Sequence, residues 1–200
     1  MNKDLTEIVF LIDRSGSMAG LESDTIGGFN ALISRQSQFQ GETKVTAILF
    51  DDQYEMLWSA EKAENVTLTT NEYYVRGCTA LLDAIGKTIL DVGSRLMHTS
   101  EEQRPGKMIF VITTDGMENA SREFTYKKVK EVIIHQQEKY NWEFLFLGAN
   151  MDAFQEADQL GIHKDMAYEF TATSAGVEQM YSALDSTLME MRIEEDQHDE

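Results

Sequence analysis

Ile8-Val9-Phe10-Leu11-Ile12-Asp13-Arg14-Ser15-Gly16-Ser17 is the stretch that decides the fold of this 200-residue chain. Five consecutive apolar residues suit a strand buried on both faces, as in the middle of a parallel sheet covered by helices on each side. Asp13 then falls at the carboxyl end of that strand. In open α/β sheets this is the edge where ligands bind, close to the point at which strand order reverses. Asp13, Ser15 and Ser17 offer one carboxylate and two hydroxyls on a backbone that Gly16 lets turn sharply. Such an oxygen set suits a hard divalent cation, and nothing in it resembles a soft-metal site. The plainer alternative is that Asp13 ends the strand and Ser15 to Ser17 make an ordinary turn.

Working outward, Glu22, Ser23 and Asp24 give an acidic, cap-competent start to a helix carrying Ile26, Phe29, Leu32, Ile33 and Phe39. Gly27-Gly28 costs that helix about 1 kcal/mol per glycine relative to alanine, which predicts close packing against a neighbour or a later start near Gly28. Lys44 to Phe50 and Tyr54 to Ala60 read as strands, and the short Asp51-Asp52-Gln53 link makes them an antiparallel hairpin. Asp51 and Asp52 could reach a metal or simply form the turn. After a polar stretch containing Tyr73-Tyr74, Thr79 stands at the mouth of an amphipathic helix marked by Leu82, Ile85, Ile89, Val92 and Leu96. Taken alone, Thr79 reads as an N-cap.

Lys107 to Thr114 is a second apolar strand, and it ends in Asp115-Gly116. Two apolar strands that each deliver an acid to the carboxyl edge of one parallel sheet would bring those acids together. Val129, Val132 and Ile133 mark a further helix. Trp142 to Gly148 forms another strand ending in Ala149-Asn150, and a short helix over Asp152 to Leu160 follows. A brief extended piece near Ala167 to Phe170 leads to a final helical stripe from Val177 to Met191, whose methionines and aromatics read as core.

Composition bounds the function. The 42% hydrophobic content can fill one core, and no run approaches the ~20 apolar residues of a membrane span. The charged amino terminus and the short run Ile8 to Ile12 do not make a secretory signal. With a single cysteine, Cys78, which excludes an internal disulfide, the expectation is a cytoplasmic protein that does not engage membranes. The formal net charge of -18 opposes nucleic acid. Glu194, Glu195, Asp196, Asp199 and Glu200 concentrate acid at the end, so residues 193–200 are expected to be an acidic, disordered tail.

Asp13-Arg14-Ser15-Gly16-Ser17, Thr79 within Gly77-Cys78-Thr79-Ala80, and Asp115 within Thr113-Thr114-Asp115-Gly116 resemble, in order and spacing, the metal-ion-dependent adhesion site of von Willebrand factor type A domains. Thr25-Ile26-Gly27-Gly28-Phe29-Asn30 and Leu147-Gly148-Ala149-Asn150 make the likeness strongest to short, stand-alone bacterial members. The resemblance covers essentially residues 4–192 and implies one domain over residues 1–192. It implies a three-layer, Rossmann-like α/β sandwich: a mostly parallel six-stranded sheet with one antiparallel edge strand and helices on both faces.

It also implies that Asp13, Ser15, Ser17, Thr79 and Asp115 hold one Mg2+ or Mn2+, directly or through water. A partner protein's Asp or Glu carboxylate would complete the coordination. Two carboxylates and three hydroxyls leave a divalent ion incompletely neutralised, able to attract one more carboxylate. The expected function is therefore non-enzymatic, metal-dependent protein binding, with Tyr73 and Tyr74 as candidate rim residues. Two other classes stand against it: a Mg2+-dependent hydrolase such as a phosphatase, and a structural domain with a vestigial site. The hydrolase would want a second acid where Ser15 stands. The four histidines (His98, His135, His163 and His198) fall in a helix end, a helix, a loop and the tail.

Overall fold

The computed structural model describes residues 1–194, so the acidic stretch 195–200 lies outside the described residues. Six strands form one sheet: β1 (Asn2–Asp13), β2 (Glu42–Phe50), β3 (Tyr54–Lys62), β4 (Pro105–Thr114), β5 (Glu143–Ala149) and β6 (Ala167–Phe170). Among the described residues, five α-helices accompany them: α1 (Glu22–Gln36), α2 (Leu81–Met97), α3 (Tyr126–Tyr140), α4 (Ala153–Leu160) and α5 (Ser174–Glu194). The strand order is β3-β2-β1-β4-β5-β6, parallel throughout except for β3, which pairs antiparallel with β2 at one edge. The expected mixed sheet is present.

The apolar run of β1 is buried on both faces because each face has its own helical layer. Ile8, Phe10 and Ile12 pack with α1 and α5, while Val9 and Leu11 pack with α2, α3 and α4. All five are at most 2% exposed, and burying each contributes about 1.5–3 kcal/mol. β4 repeats the pattern, with Ile109 and Val111 facing one layer and Phe110 and Ile112 the other. Phe110 stacks on both Trp142 and Phe144, with ring centroids 5.1 and 4.8 Å away.

Local sequence explains where the helices stop and start. α3 is capped by Thr125, whose hydroxyl accepts the Lys128 N–H, and closed by Asn141 in the left-handed conformation. α4 opens on Asp152, which accepts from Gln155 N at 2.9 Å, and closes on left-handed Gly161. α1 begins at Glu22, ahead of both glycines. Of these only Gly28 is needed for packing: a Cβ there would lie 2.1 Å from the Tyr181 ring of α5, whereas one at Gly27 meets nothing. Phe39, expected in the helix, lies beyond its end.

The chain leaves β1 for β2 through α1 on one face, then crosses to β4 through α2 on the other. Strand order thus reverses between β1 and β4, and the crevice at their carboxyl ends is where such sheets hold ligands.

Candidate metal centre

Asp13 is the last residue of β1, and Asp115 follows directly after β4. Ile12 is in register with Thr113, so the two carboxylates arrive side by side. Past Asp13 the chain turns into a short 3-10 helix, Gly16–Met18, fixed at its start by Ser15 N donating to Asp13 Oδ1 at 2.7 Å. This turn stacks Ser15 Oγ and Ser17 Oγ 3.1 Å apart and lets Ser17 donate to Asp115 Oδ1 at 2.5 Å.

The fifth predicted residue enters from the other side of the crevice. Thr79 does not cap α2: the Leu82 and Asp83 N–H groups donate to Glu118 Oε2 and Ser121 Oγ at 2.9 and 3.0 Å. Asn119 instead clamps the Thr79 backbone, its side-chain oxygen accepting from Thr79 N at 2.9 Å and its N–H donating to Thr79 O at 3.0 Å. The hydroxyl is thereby released toward the crevice. A Cβ built on Gly116 would sit 2.9 Å from Thr79 Oγ1, 3.2 Å from Ser17 Oγ and 3.8 Å from Ser15 Oγ. Three hydroxyls therefore converge over Gly116, where no side chain stands in their way.

Asp115 Oδ2 is buried and accepts no hydrogen bond from any described residue. A carboxylate oxygen left this way costs about 1–3 kcal/mol or more, a cost that a cation would remove. Among the described residues no three His, Cys, Asp or Glu side chains converge as a metal cage. The donor set is two carboxylates plus hydroxyls, all oxygen, suited to a hard cation that also keeps water or an external ligand.

Residues around the site set its geometry, and the sequence alone singled out few of them. Thr114 donates to Asp13 Oδ2 at 2.6 Å. Tyr73 is 1% exposed and donates to Asp13 O at 2.8 Å, so it supports the site from within and is not a rim residue. Tyr74 is exposed, with its ring 5.5 Å from both the Arg14 and Arg76 guanidinium groups.

Arg14, lodged between two predicted ligands, is fully buried. It reaches Asp51 Oδ2 at 3.3 Å and Glu55 Oε2 at 2.7 Å, and Arg76 grips the same Asp51 oxygen at 2.6 Å. Asp51 is thus a counter-ion for two arginines, not an extra ligand. The ties continue through the backbone, where Arg76 N donates to Arg14 O and Gly16 N to Gly77 O. The loop before Thr79 is in this way bound to the loop after Asp13. His98 lies at the end of α2, His135 within α3 and His163 before the 3-10 helix Lys164–Met166, while His198 lies outside the described residues.

Burial, reinforced by Asp115 and only partly offset by hydrogen bonds from Thr114 and Ser15, raises Asp13 from its ordinary 3.8 to about 6. Burial raises Asp115 as well, against a lowering hydrogen bond from Ser17. A folded value above the ordinary one means that protonation favours the fold. The stabilisation is complete below about 3.8 and is lost as pH rises through about 6. In chelator, wild type is therefore expected to lose about 2 kcal/mol relative to Asp13→Asn between pH 4 and pH 7. Denaturant titrations across that range check this, and parallel pH profiles for the two proteins would refute it.

Comparison with known proteins places this geometry in a family. No curated protein matches the chain in sequence. The pilus adhesin SpaC from Lactobacillus rhamnosus GG, in its open conformation, superposes with a TM-score of 0.66 at 14% identity, covering 94% of this chain and 30% of that one. Proximal thread matrix protein 1 from the mussel byssus, solved with a zinc-occupied MIDAS motif, gives a TM-score of 0.62 at 14% identity, covering 94% of this chain and 47% of that one. The ArnB paralog VWA2 from Sulfolobus acidocaldarius gives 0.58 at 16% identity, covering 92% and 44%. The chain spans less than half the length of each, and at these identities the likeness concerns the fold. The sequence match to the von Willebrand factor type A domain family runs over residues 7–183, from within β1 to within α5 and through every residue of the crevice, and the chain belongs to that family.

Proposed function

We propose that this chain is a non-enzymatic, metal-dependent protein-binding domain. Asp13, Ser15, Ser17, Thr79 and Asp115 together hold one Mg2+ or Mn2+, and a partner's Asp or Glu carboxylate takes the ion's outward position. The observation that carries this reading is the orphaned Asp115 Oδ2, buried beside three hydroxyls that converge over Gly116. Those atoms have the chemistry of an ion's inner shell and no other evident use. All-oxygen donors favour Mg2+ or Mn2+ over zinc, which prefers nitrogen and sulfur. Ser15 Oγ stands where a phosphatase-like hydrolase would place its second carboxylate, which leaves the crevice without that group. The single free cysteine, Cys78, fits a reducing, cytoplasmic setting.

The test is affinity capture from source-cell lysate with wild type, Asp13→Ala and Thr79→Ala, each in Mg2+ and in chelator, after folding of every variant has been verified. A partner is expected with wild type in Mg2+ alone. Identification of its contact acid, and loss of capture when that acid is replaced by its amide, completes the case. A partner retained in chelator would place the interface elsewhere.

A further inference from the structure

Gly77-Cys78-Thr79-Ala80 is irregular chain leading into α2, and it opens on Gly77 in the left-handed conformation, with φ at 68°. Glycine restrains its own backbone least of all residues, so the direction of the Thr79 side chain has to be set from outside this stretch.

The restraint comes from the loop after β4. Asn119 Oδ1 accepts from Thr79 N at 2.9 Å, and Asn119 N and Ala120 N both donate to Thr79 O, at 3.0 and 3.2 Å. Ala80 N donates in turn to Asp51 O at 2.8 Å. Both peptide groups flanking Thr79 are therefore held. Threonine is branched at Cβ and has few side-chain rotamers, so a fixed backbone also fixes where Oγ1 points. It points over Gly116, where a Cβ would lie 2.9 Å away.

The loop that does the holding is itself braced. Glu118 accepts from Leu82 N, Ala120 N, Ser121 N and Ser121 Oγ at 2.7 to 2.9 Å, and Asp83 accepts from the N–H groups of Arg122, Glu123 and Phe124 at 2.8 to 2.9 Å. Glu118 and Asp83 thus tie the start of α2 and the loop to each other, while the Asn119 side chain is bonded to a proposed ligand. Asn119 is exposed and fills no part of the core.

We propose that Asn119 is a positioning residue of the metal site. Through the Thr79 backbone it aims the Thr79 hydroxyl at the ion, and because it lies on the same braced loop as Asp115, it joins the two sides of the crevice into a shell formed before metal arrives. This rests on the reading of the crevice as a metal centre.

Two measurements on the full chain test it. Amide hydrogen exchange at Thr79, followed by NMR in chelator, is expected to be about tenfold faster in Asn119→Ala than in wild type, and close to the wild-type rate in Asn119→Asp, which keeps the acceptor. Calorimetric titration with Mn2+ is expected to show binding weakened about tenfold or more in Asn119→Ala, as for other groups that orient a ligand, and recovered to within a few-fold in Asn119→Asp. In a Thr79→Ala background, which has no hydroxyl to aim, Asn119→Ala should weaken binding less than about twofold. Asn119→Leu, similar in size and without the acceptor, should repeat the Asn119→Ala results and stands in for it if that variant does not fold. A general loosening of the loop would instead weaken binding equally in both backgrounds, and that result overturns the proposal. So does wild-type affinity, or an unchanged Thr79 exchange rate, in Asn119→Ala. These results leave the metal reading standing, whereas a wild type that binds no Mn2+ overturns that reading and the proposal together.

Discussion

Asp115→Asn is expected to weaken Mg2+ or Mn2+ binding by at least about a hundredfold, since even residues that only orient a ligand are worth about 10–100-fold in metal affinity. The position is chosen because Asp115 carries the orphaned oxygen, and its other oxygen already holds Ser17 in place. Losing this one negative charge therefore removes a direct electrostatic contact and leaves the surrounding turn intact. The same variant separates binding from folding. At a metal concentration a hundred times its dissociation constant, wild type gains about 2.7 kcal/mol, a rise in Tm of roughly 5–10 °C for a chain of this size. Asp115→Asn should show no such rise, and in chelator it should melt within a few degrees of wild type. Calorimetric metal titration and thermal denaturation with and without metal give both readouts. Wild-type affinity in Asp115→Asn would show that the five side chains are not the ion's shell.

The second large effect is on stability, at a residue whose side chain contacts Asp51 and Glu55 and none of the five proposed ligands. Arg14→Met is expected to destabilise the domain by about 3 kcal/mol, because breaking a buried ion pair leaves the remaining charge uncompensated. Methionine refills much of the apolar stem's volume, so the loss reports the guanidinium. Arg14 is fully buried, and both Asp51 and Glu55 lean on it. Arg76 softens the loss by keeping its own contact with Asp51. Arg76 is itself about a third exposed, so Arg76→Ala should cost well under half as much. Arg14→Met should also weaken metal binding, since the guanidinium holds Asp51, whose backbone O accepts from Ala80 N next to Thr79. Denaturant unfolding of both variants checks the ranking. Equal costs would mean that the network's strength lies at its surface and not in the buried pair.

Much of this was legible from local pattern. Apolar runs in β1 and β4 read directly as doubly buried strands, and helical stripes located α2 and α5, because burial on a regular element leaves its period in the sequence. The short Asp51-Asp52-Gln53 link announced the antiparallel pair. Thr79 was ambiguous for a physical reason: a threonine at a helix mouth is by default a cap, and only Glu118 and Ser121, some 40 residues later in the chain, relieve it of that task. Tyr73 and Tyr74 look equivalent in sequence, yet one is a buried donor to Asp13 and the other a surface ring. Alternation along an irregular loop has no fixed period from which to tell them apart.

By itself, then, the sequence pointed to the elements and the layered α/β class, which follow from propensity and periodicity acting over a few residues, while resemblance to a family motif singled out the five oxygen-bearing side chains at strand ends and a helix mouth. Only the tertiary structure decided that β1 and β4 are neighbours at the reversal point, that Arg14 is answered by Asp51 and Glu55, and that Thr79 is free of capping and held by Asn119. These depend on strand order and on the pairing of buried charges across long stretches of chain. No local pattern encodes such pairings, because their free energy exists only once distant segments have been brought together and water removed from between them.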